Sequence, residues 1–200
     1  MADNDNQAKR ALALLQAAVQ RCSKGEYGPG AVLLRQAVQL MPDVAHLWLA
    51  LGSTEIEVGE YQRAREALEQ AIALDPLPWN SWATLGGICL ELGDLPAAVQ
   101  ACKEALSRQF HQPQLWYLLG EAYYRQGSYG QALLACRRAR HYLPDDIDAN
   151  MLLGAIYTQQ GDMAAVEAVL VYLMKLLPKD ELMAYTQRIA DILTRKEGEQ

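Results

Sequence analysis

A period of 34 residues runs through most of the chain and constrains its fold more than any other feature. Two sets of glycines follow this period, and three of the four tryptophans and a series of prolines keep the same step. The first glycine set is Gly25, Gly59, Gly93, Gly127 and Gly161, and the second is Gly52, Gly86, Gly120 and Gly154. Separate residue classes that stay in register indicate an internal repeat, in which each unit buries its apolar face against the next.

Each unit is predicted to contain two helices. In the second unit, Leu47, Leu51 and Ile56 lie on one apolar face of a first helix. Ala64 and Leu68 mark the apolar face of a second helix. The first glycine set falls between the two helices, where glycine can take the left-handed conformation that closes a helix. The sequence therefore predicts an all-α fold of antiparallel helix pairs.

The second glycine set lies inside the first helices, where glycine costs about 1 kcal/mol relative to alanine. A small residue stands twelve positions later in most units, such as Ala64, Ala98 and Ala132, whereas Val166 occupies this place in the fifth unit. Small residues that face each other allow two helices to approach closely. We therefore expect each inner glycine to face this later residue, with a wider pair at Gly154 and Val166.

The pattern resembles the tetratricopeptide repeat (TPR), a helix–turn–helix unit of 34 residues. The fourth unit matches through Trp116, Leu119, Gly120, Tyr123, Gly127, Tyr129, Ala132, Ala139 and Pro144. The resemblance implies an α-solenoid, a right-handed superhelix of five units, the first of them degenerate. The units cover residues 11–44, 45–78, 79–112, 113–146 and 147–180. Residues 1–10 are then a polar lead, and residues 181–200 are interpreted as a capping helix with a charged tail.

Composition restricts the class of partner. The net charge is −6 and the isoelectric point is about 5.1, which does not favour nucleic acid or an anionic membrane. The first ten residues are polar, and no segment is long and apolar enough to span a bilayer, so we expect no membrane insertion and a cytoplasmic location.

The cysteines have no CxxC spacing and are predicted to be reduced core thiols. They are Cys22, Cys89, Cys102 and Cys136.

The sequence contains no constellation typical of catalysis. It has no phosphate loop, no HExxH motif and no Ser/His/Asp set, and its three histidines lie in different units. The acidic run "DDID" at residues 145–148 could indicate a metal site, but it follows Pro144 at a helix start, where capping is the simpler interpretation. We therefore predict no catalytic, cofactor-binding or metal-binding residue, and no cofactor.

The resemblance implies a concave groove lined by the first helix of each pair. Because the repeat's Trp, Leu, Gly and Tyr positions face neighbouring helices, the opposite stripe is expected to face a partner. The candidate residues are His46, Leu49, Ser53, Asn80, Thr84, Gln114, Tyr117, Glu121, Tyr124, Met151 and Thr158. This mixed lining suits an extended or a helical peptide. In "LWYLLGEAYYRQG" (residues 115–127), Trp116 and Tyr123 are predicted to pack internally, which leaves Tyr117 and Tyr124 for a partner.

The predicted function is a non-enzymatic adaptor or scaffold that binds a peptide segment of a partner protein in the groove. The alternative is a self-assembling structural scaffold, in which copies stack through the basic fourth unit or through an uncapped N-terminal face. The basic stretch "CRRARH" of the fourth unit could dock on the acidic second unit of another copy. A solvated helix face is the simpler interpretation of that stretch, which contains Arg137, Arg138 and Arg140. A third reading, an enzyme or its regulatory arm, has too few residues outside the units to supply a catalytic domain.

Overall fold

The structure is a computed structural model that describes the backbone of residues 2–198 and the side chains of residues 5–192. The described backbone contains eleven α-helices and no strand, so the all-α prediction is confirmed. The helices fall into two compact units, one ending at Arg108 and the other starting at Gln109.

The first compact unit consists of three helix pairs. They are α1 (Ala2–Cys22) with α2 (Tyr27–Leu40), α3 (Ala45–Val58) with α4 (Tyr61–Leu74), and α5 (Trp79–Glu91) with α6 (Leu95–Arg108). Each second helix also packs on the first helix of the next pair within this unit. The residues predicted as a polar lead are helical where the structure describes them, because α1 begins at Ala2.

The second compact unit has two helix pairs and one further helix. The pairs are α7 (Pro113–Arg125) with α8 (Tyr129–Tyr142), and α9 (Ile147–Gln160) with α10 (Met163–Leu173). Helix α11 (Lys179–Gly198) packs chiefly against α9. Across the described parts of both units, no helix combines the length and the hydropathy needed to cross a membrane.

The first glycine set has the left-handed conformation that the sequence predicts. Gly59, for example, has φ 87° and donates its backbone N–H to the carbonyl oxygen of Ile56 at 2.9 Å. A residue with a side chain rarely adopts this conformation, so glycine is required at these helix ends.

The inner glycines lie at close approaches, but the predicted partner is wrong by one helical turn. A Cβ atom on Gly86 would lie 2.9 Å from Sγ of Cys102, and one on Gly120 would overlap Sγ of Cys136. The predicted partner of Gly120, Ala132, contributes only its carbonyl oxygen, 3.5 Å from that Cβ position. The contact therefore depends on a cysteine side chain, and the alanine lies beside it.

Gly154 also departs from the expected contact with Val166. Its nearest neighbours are the Tyr185 hydroxyl of α11, which a Cβ on Gly154 would overlap, and Cγ1 of Val169 at 3.3 Å. The Tyr185 hydroxyl donates a hydrogen bond to the carbonyl oxygen of Met151 at 2.8 Å. Glycine at this position therefore accommodates the last helix.

All four cysteines are reduced thiols, of which Cys89, Cys102 and Cys136 are buried and Cys22 is half-buried. Burial raises the pKa of the Cys136 thiol to about 12, and burial also raises the pKa of Cys89. The thiolate is the reactive form of cysteine, so buried thiols with a raised pKa react slowly.

We expect a maleimide to label one thiol, Cys22, rapidly in the folded protein near neutral pH, and the other three only after unfolding. Intact-mass spectrometry during labelling, with and without denaturant, measures this difference. The variant Cys22→Ser should lose the rapid phase. Rapid labelling of several thiols in the native protein would contradict the described burial.

Candidate functional site

A cleft in the second compact unit gathers three of the predicted groove residues. Tyr117 and Tyr124 of α7 and Met151 of α9 line it, together with Leu152 and Ala155. Its volume is about 280 Å³. The two tyrosines are seven residues apart and thus lie on one face of α7. We call it the tyrosine cleft, and it is the candidate partner-binding site.

The tyrosine hydroxyl groups of the cleft are neutral hydrogen-bonding groups. Burial, followed by the charge of Glu121, raises the pKa of Tyr117 well above its ordinary value, and the Tyr117 hydroxyl is hydrogen-bonded to Glu121. Burial also raises the pKa of Tyr124, whose ring centre lies 5.6 Å from that of Tyr129. A phenol that stays protonated can donate or accept a hydrogen bond but is a weak nucleophile. The arrangement suits recognition, with aromatic area and polar tips at one place.

Helix α11 forms one wall of the cleft, which the sequence analysis did not anticipate. Tyr185, Arg188, Ile189 and Ile192 line the cleft from α11. Their spacing of three and four residues marks one helix face, but it does not indicate which helix that face contacts. The predicted charged tail falls within residues 193–200, whose side chains lie outside the described part of the chain.

Thr158 does not belong to the groove, and its prediction as a contact residue is wrong. Its side chain is fully buried, and its hydroxyl donates to the Gly154 carbonyl oxygen at 2.8 Å. A hydroxyl bonded to the carbonyl four residues earlier is satisfied within its own helix. Of the other candidates in this unit, Gln114 is exposed and Glu121 is half-buried, with an ion pair to Arg125.

The candidates in the first compact unit are less closely gathered. His46 and Leu49 line a depression of about 20 Å³ on α3. Ser53 and Asn80 are exposed, and the half-buried Thr84 donates its hydroxyl to the Asn80 carbonyl oxygen at 2.9 Å. These residues remain predicted contacts, and the tyrosine cleft is the better-formed site.

The acidic run near residue 146 caps a helix, as the sequence predicts. The Asp146 side chain accepts a hydrogen bond from the Ala149 backbone N–H at 2.7 Å, at the start of α9. Within the described residues, no group of three or more His, Cys, Asp or Glu side chains could hold a metal ion.

Several solved structures share this fold. The MamA fragment "41-end" from Desulfovibrio magneticus RS-1 has 17% identity and a TM-score of 0.81, over 84% of this chain and 94% of that one. YrrB, described as a TPR protein with an unusual peptide-binding site, has 16% identity and a TM-score of 0.78, over 89% and 92%. PilF of Pseudomonas aeruginosa has 16% identity and a TM-score of 0.73, over 96% and 88%. At these identities the likeness shows the fold alone.

Sequence comparison gives the family. A search of curated proteins found no matching relative. The family model described as "Cilia and flagella-associated protein 70 C-terminal domain", a TPR domain, matches residues 2–184. Together with the helix pairs and the structural neighbours, this match confirms the TPR resemblance. The chain belongs to the family of the cilia and flagella-associated protein 70 C-terminal domain and has a tetratricopeptide-repeat fold.

Proposed function

We propose that this protein is a non-enzymatic scaffold that binds a peptide segment of a partner protein in the tyrosine cleft. The observation that carries the proposal is the convergence of Tyr117, Tyr124 and Met151 on one cleft. Tyrosine and methionine are enriched in protein interfaces, and tyrosine is a frequent hot-spot residue. The structural neighbour YrrB is described as having a peptide-binding site, which supports this use of the fold.

The packing of α11 supports a helical rather than an extended partner segment. Tyr185 and Ile189 of α11 are buried, and Tyr185 fits against Gly154 with its hydroxyl on the Met151 carbonyl oxygen. A partner helix with apolar residues at spacings of three and four would bury them beside α11, against Tyr117 and Tyr124.

The four reduced cysteines support a reducing compartment, so we place this interaction in the cytoplasm.

Replacing Tyr117 and Tyr124 together with alanine should reduce partner binding at least about tenfold, because each substitution removes aromatic area from the centre of the cleft. Affinity purification with mass spectrometry first identifies proteins retained by the wild-type chain. The binding of a purified candidate is then measured by calorimetry. The assay temperature is kept well below the unfolding transitions, which are measured by circular dichroism.

The matched control is the pair Tyr27→Ala and Tyr61→Ala. These half-buried tyrosines begin α2 and α4 and do not line the tyrosine cleft. The control should keep the partner. If the Tyr117/Tyr124 variant also keeps it at full affinity, the cleft is not the binding site.

Self-assembly is the second candidate function, and exposed apolar side chains favour it. Val171 and Met174 lie near the end of α10, and Met183 lies on α11, all three more than half exposed. Burying such side chains against a second copy would be favourable. Light scattering over a concentration series separates the two candidates, since a monomer at every concentration would exclude self-assembly.

A further inference from the structure

One side-chain hydrogen bond recurs in four repeats, but its donor changes in the last. Trp48, Trp82 and Trp116 donate the indole N–H to the carbonyl oxygen six residues earlier, at 2.7, 2.9 and 2.7 Å. Asn150 stands 34 residues after Trp116 and donates its amide N–H to the Pro144 carbonyl oxygen at 2.8 Å. Asn150 thus keeps the hydrogen bond, but it has no indole ring.

In two of the repeats that carry the tryptophan, an arginine of the second helix covers the indole ring. The Arg108 guanidinium lies 5.3 Å from the ring centre of Trp82, and the Arg138 guanidinium lies 5.5 Å from that of Trp116. Arg108 lies one helical turn further along its helix than the equivalent of Arg138, so the comparison with position 150 rests on the fourth repeat: Tyr172 stands 34 residues after Arg138.

A cleft of about 510 Å³ lies at this place in the second compact unit, and we call it the basic cleft. It is lined by Arg137, Arg140, His141, Pro144 and Tyr172. Two of these residues tie it to position 150, since Pro144 accepts the Asn150 hydrogen bond and Tyr172 occupies the covering position. Asn150 itself is buried and does not line the cleft, so the basic cleft adjoins the place that an indole fills in the preceding repeats.

The basic side chains of this cleft are two arginines and one histidine. Within the described side chains, Arg137, Arg140 and His141 form no ion pair. Arg137 instead donates to the Tyr157 hydroxyl at 3.1 Å. Asp145 is the carboxylate closest in sequence to these three residues. It accepts a hydrogen bond from the hydroxyl of Tyr172, which lines the cleft. On a chain with net charge −6, this cleft is a local positive site.

Asn150 also has an unused acceptor. Its side chain is fully buried, and its Oδ1 has no hydrogen-bond donor in the described part of the structure. A buried acceptor without a donor is costly, so Asn150 is a less favourable residue at this position than the tryptophan of the other repeats.

We propose that the basic cleft is a second binding site, which takes a tryptophan side chain from an acidic segment of a partner protein. The indole lies in the cleft beside Pro144 and Tyr172, next to the buried Asn150. The Asp and Glu residues that flank the tryptophan pair with Arg137, Arg140 and His141 through charge-assisted hydrogen bonds. This site is separate from the tyrosine cleft and does not depend on it.

The probe for the test is a fluorescein-labelled peptide of glutamates with one central tryptophan, measured by fluorescence anisotropy with the full chain. A peptide with alanine in place of the tryptophan should bind at least about tenfold more weakly, because the apolar contact is lost. A peptide with lysines in place of the glutamates should not bind measurably, because like charges repel it.

Two sets of variants locate the binding. Asn150→Trp supplies the ring that three other repeats carry and should reduce binding of the glutamate–tryptophan probe at least about tenfold, with circular dichroism as the check that the variant is folded. Arg140→Gln with His141→Gln, changes at side chains that reach the surface, should also weaken binding at least about tenfold, whereas the exposed control Arg10→Gln should leave it unchanged. The Tyr117/Tyr124 variant should bind the probe normally.

Four results would overturn the proposal. The first three are equal binding of the tryptophan and alanine peptides, undiminished binding by both the Asn150→Trp and the Arg140/His141 variants, and no binding by the wild-type chain. Loss of binding in the Tyr117/Tyr124 variant would also overturn it, because it would place the probe in the tyrosine cleft.

Discussion

Replacing Arg35 with methionine should lower the free energy of unfolding by about 3 kcal/mol. The Glu55 side chain is only 1% exposed, and its Oε1 accepts from Arg35 Nε at 2.9 Å and Nη2 at 2.8 Å. Its Oε2 already has no hydrogen-bond partner in the described residues. Removing the guanidinium leaves a buried carboxylate without a cation. We take the low end of the cost of breaking a buried pair, about 3–5 kcal/mol, because the Arg35 side chain is 40% exposed.

Urea unfolding followed by circular dichroism measures this loss. The matched control is Arg21→Met, an exposed arginine that lies 2.7 Å from the Glu26 carboxylate and whose ion pair is solvated. Its effect should stay within about 0.5 kcal/mol. Similar small effects for the two variants would mean that the Arg35–Glu55 pair is not required for stability.

The equivalent positions in other repeats supply a rescue for the Arg35 variant. Tyr123 and Tyr157 stand where Glu55 stands in its own repeat, and a cleft of about 340 Å³ adjoins Glu55. Adding Glu55→Tyr to Arg35→Met removes the buried charge and should restore most of the lost stability. If the double variant is as unstable as Arg35→Met alone, the loss comes from the arginine stem rather than from the orphaned carboxylate.

The helix ends could be predicted from sequence because they depend on local backbone conformation. Gly59 and its equivalents need a left-handed φ, and that need is visible in the residue type alone. The capping role of Asp146 is local in the same sense, since its partner is the N–H of Ala149.

Contacts between helices were harder to predict, because they depend on the axial offset of the two helices. The glycine period indicates a close approach at Gly86, but the offset decides whether Ala98 or Cys102 meets it, and Cys102 does. A shift of four residues is one helical turn and leaves the same face exposed to the partner helix. The spacing of residues in the sequence therefore predicts which helix face makes a contact, but not the position of that contact along the helix axis.

At the candidate site, too, features within one helix could be predicted from sequence, whereas contacts between helices could not. Helical spacing places Tyr117 and Tyr124 on one face of α7, and both line the tyrosine cleft, although their contact with a partner stays a prediction. The role of Tyr185 was not foreseen, because the spacing within α11 does not indicate what that helix contacts. Helix α11 follows the last helix pair, so no later repeat indicates how it should pack on α9.

Replacing Gly120 with alanine should destabilise the protein by about 2 kcal/mol, although alanine is the better helix former by about 1 kcal/mol. The added methyl group would overlap the sulfur of Cys136, which is fully buried and cannot move into solvent. The matched control is Gly87→Ala in α5, where a Cβ meets nothing within 4 Å. Gly87→Ala should therefore stabilise the protein by up to about 1 kcal/mol, the opposite sign.

The variant Cys136→Ala alone should also destabilise, by about 1 kcal/mol, because removing the sulfur leaves a small void. Combined with Gly120→Ala, it should instead help, since the new methyl group fills the space that the sulfur leaves. The remaining neighbours of that methyl group are Cys136 N at 3.4 Å and Ala132 O at 3.5 Å, which are ordinary contacts. Urea unfolding should therefore find the double variant more stable than either single variant. Simple addition of the two losses would show that the sulfur does not set the distance between α7 and α8.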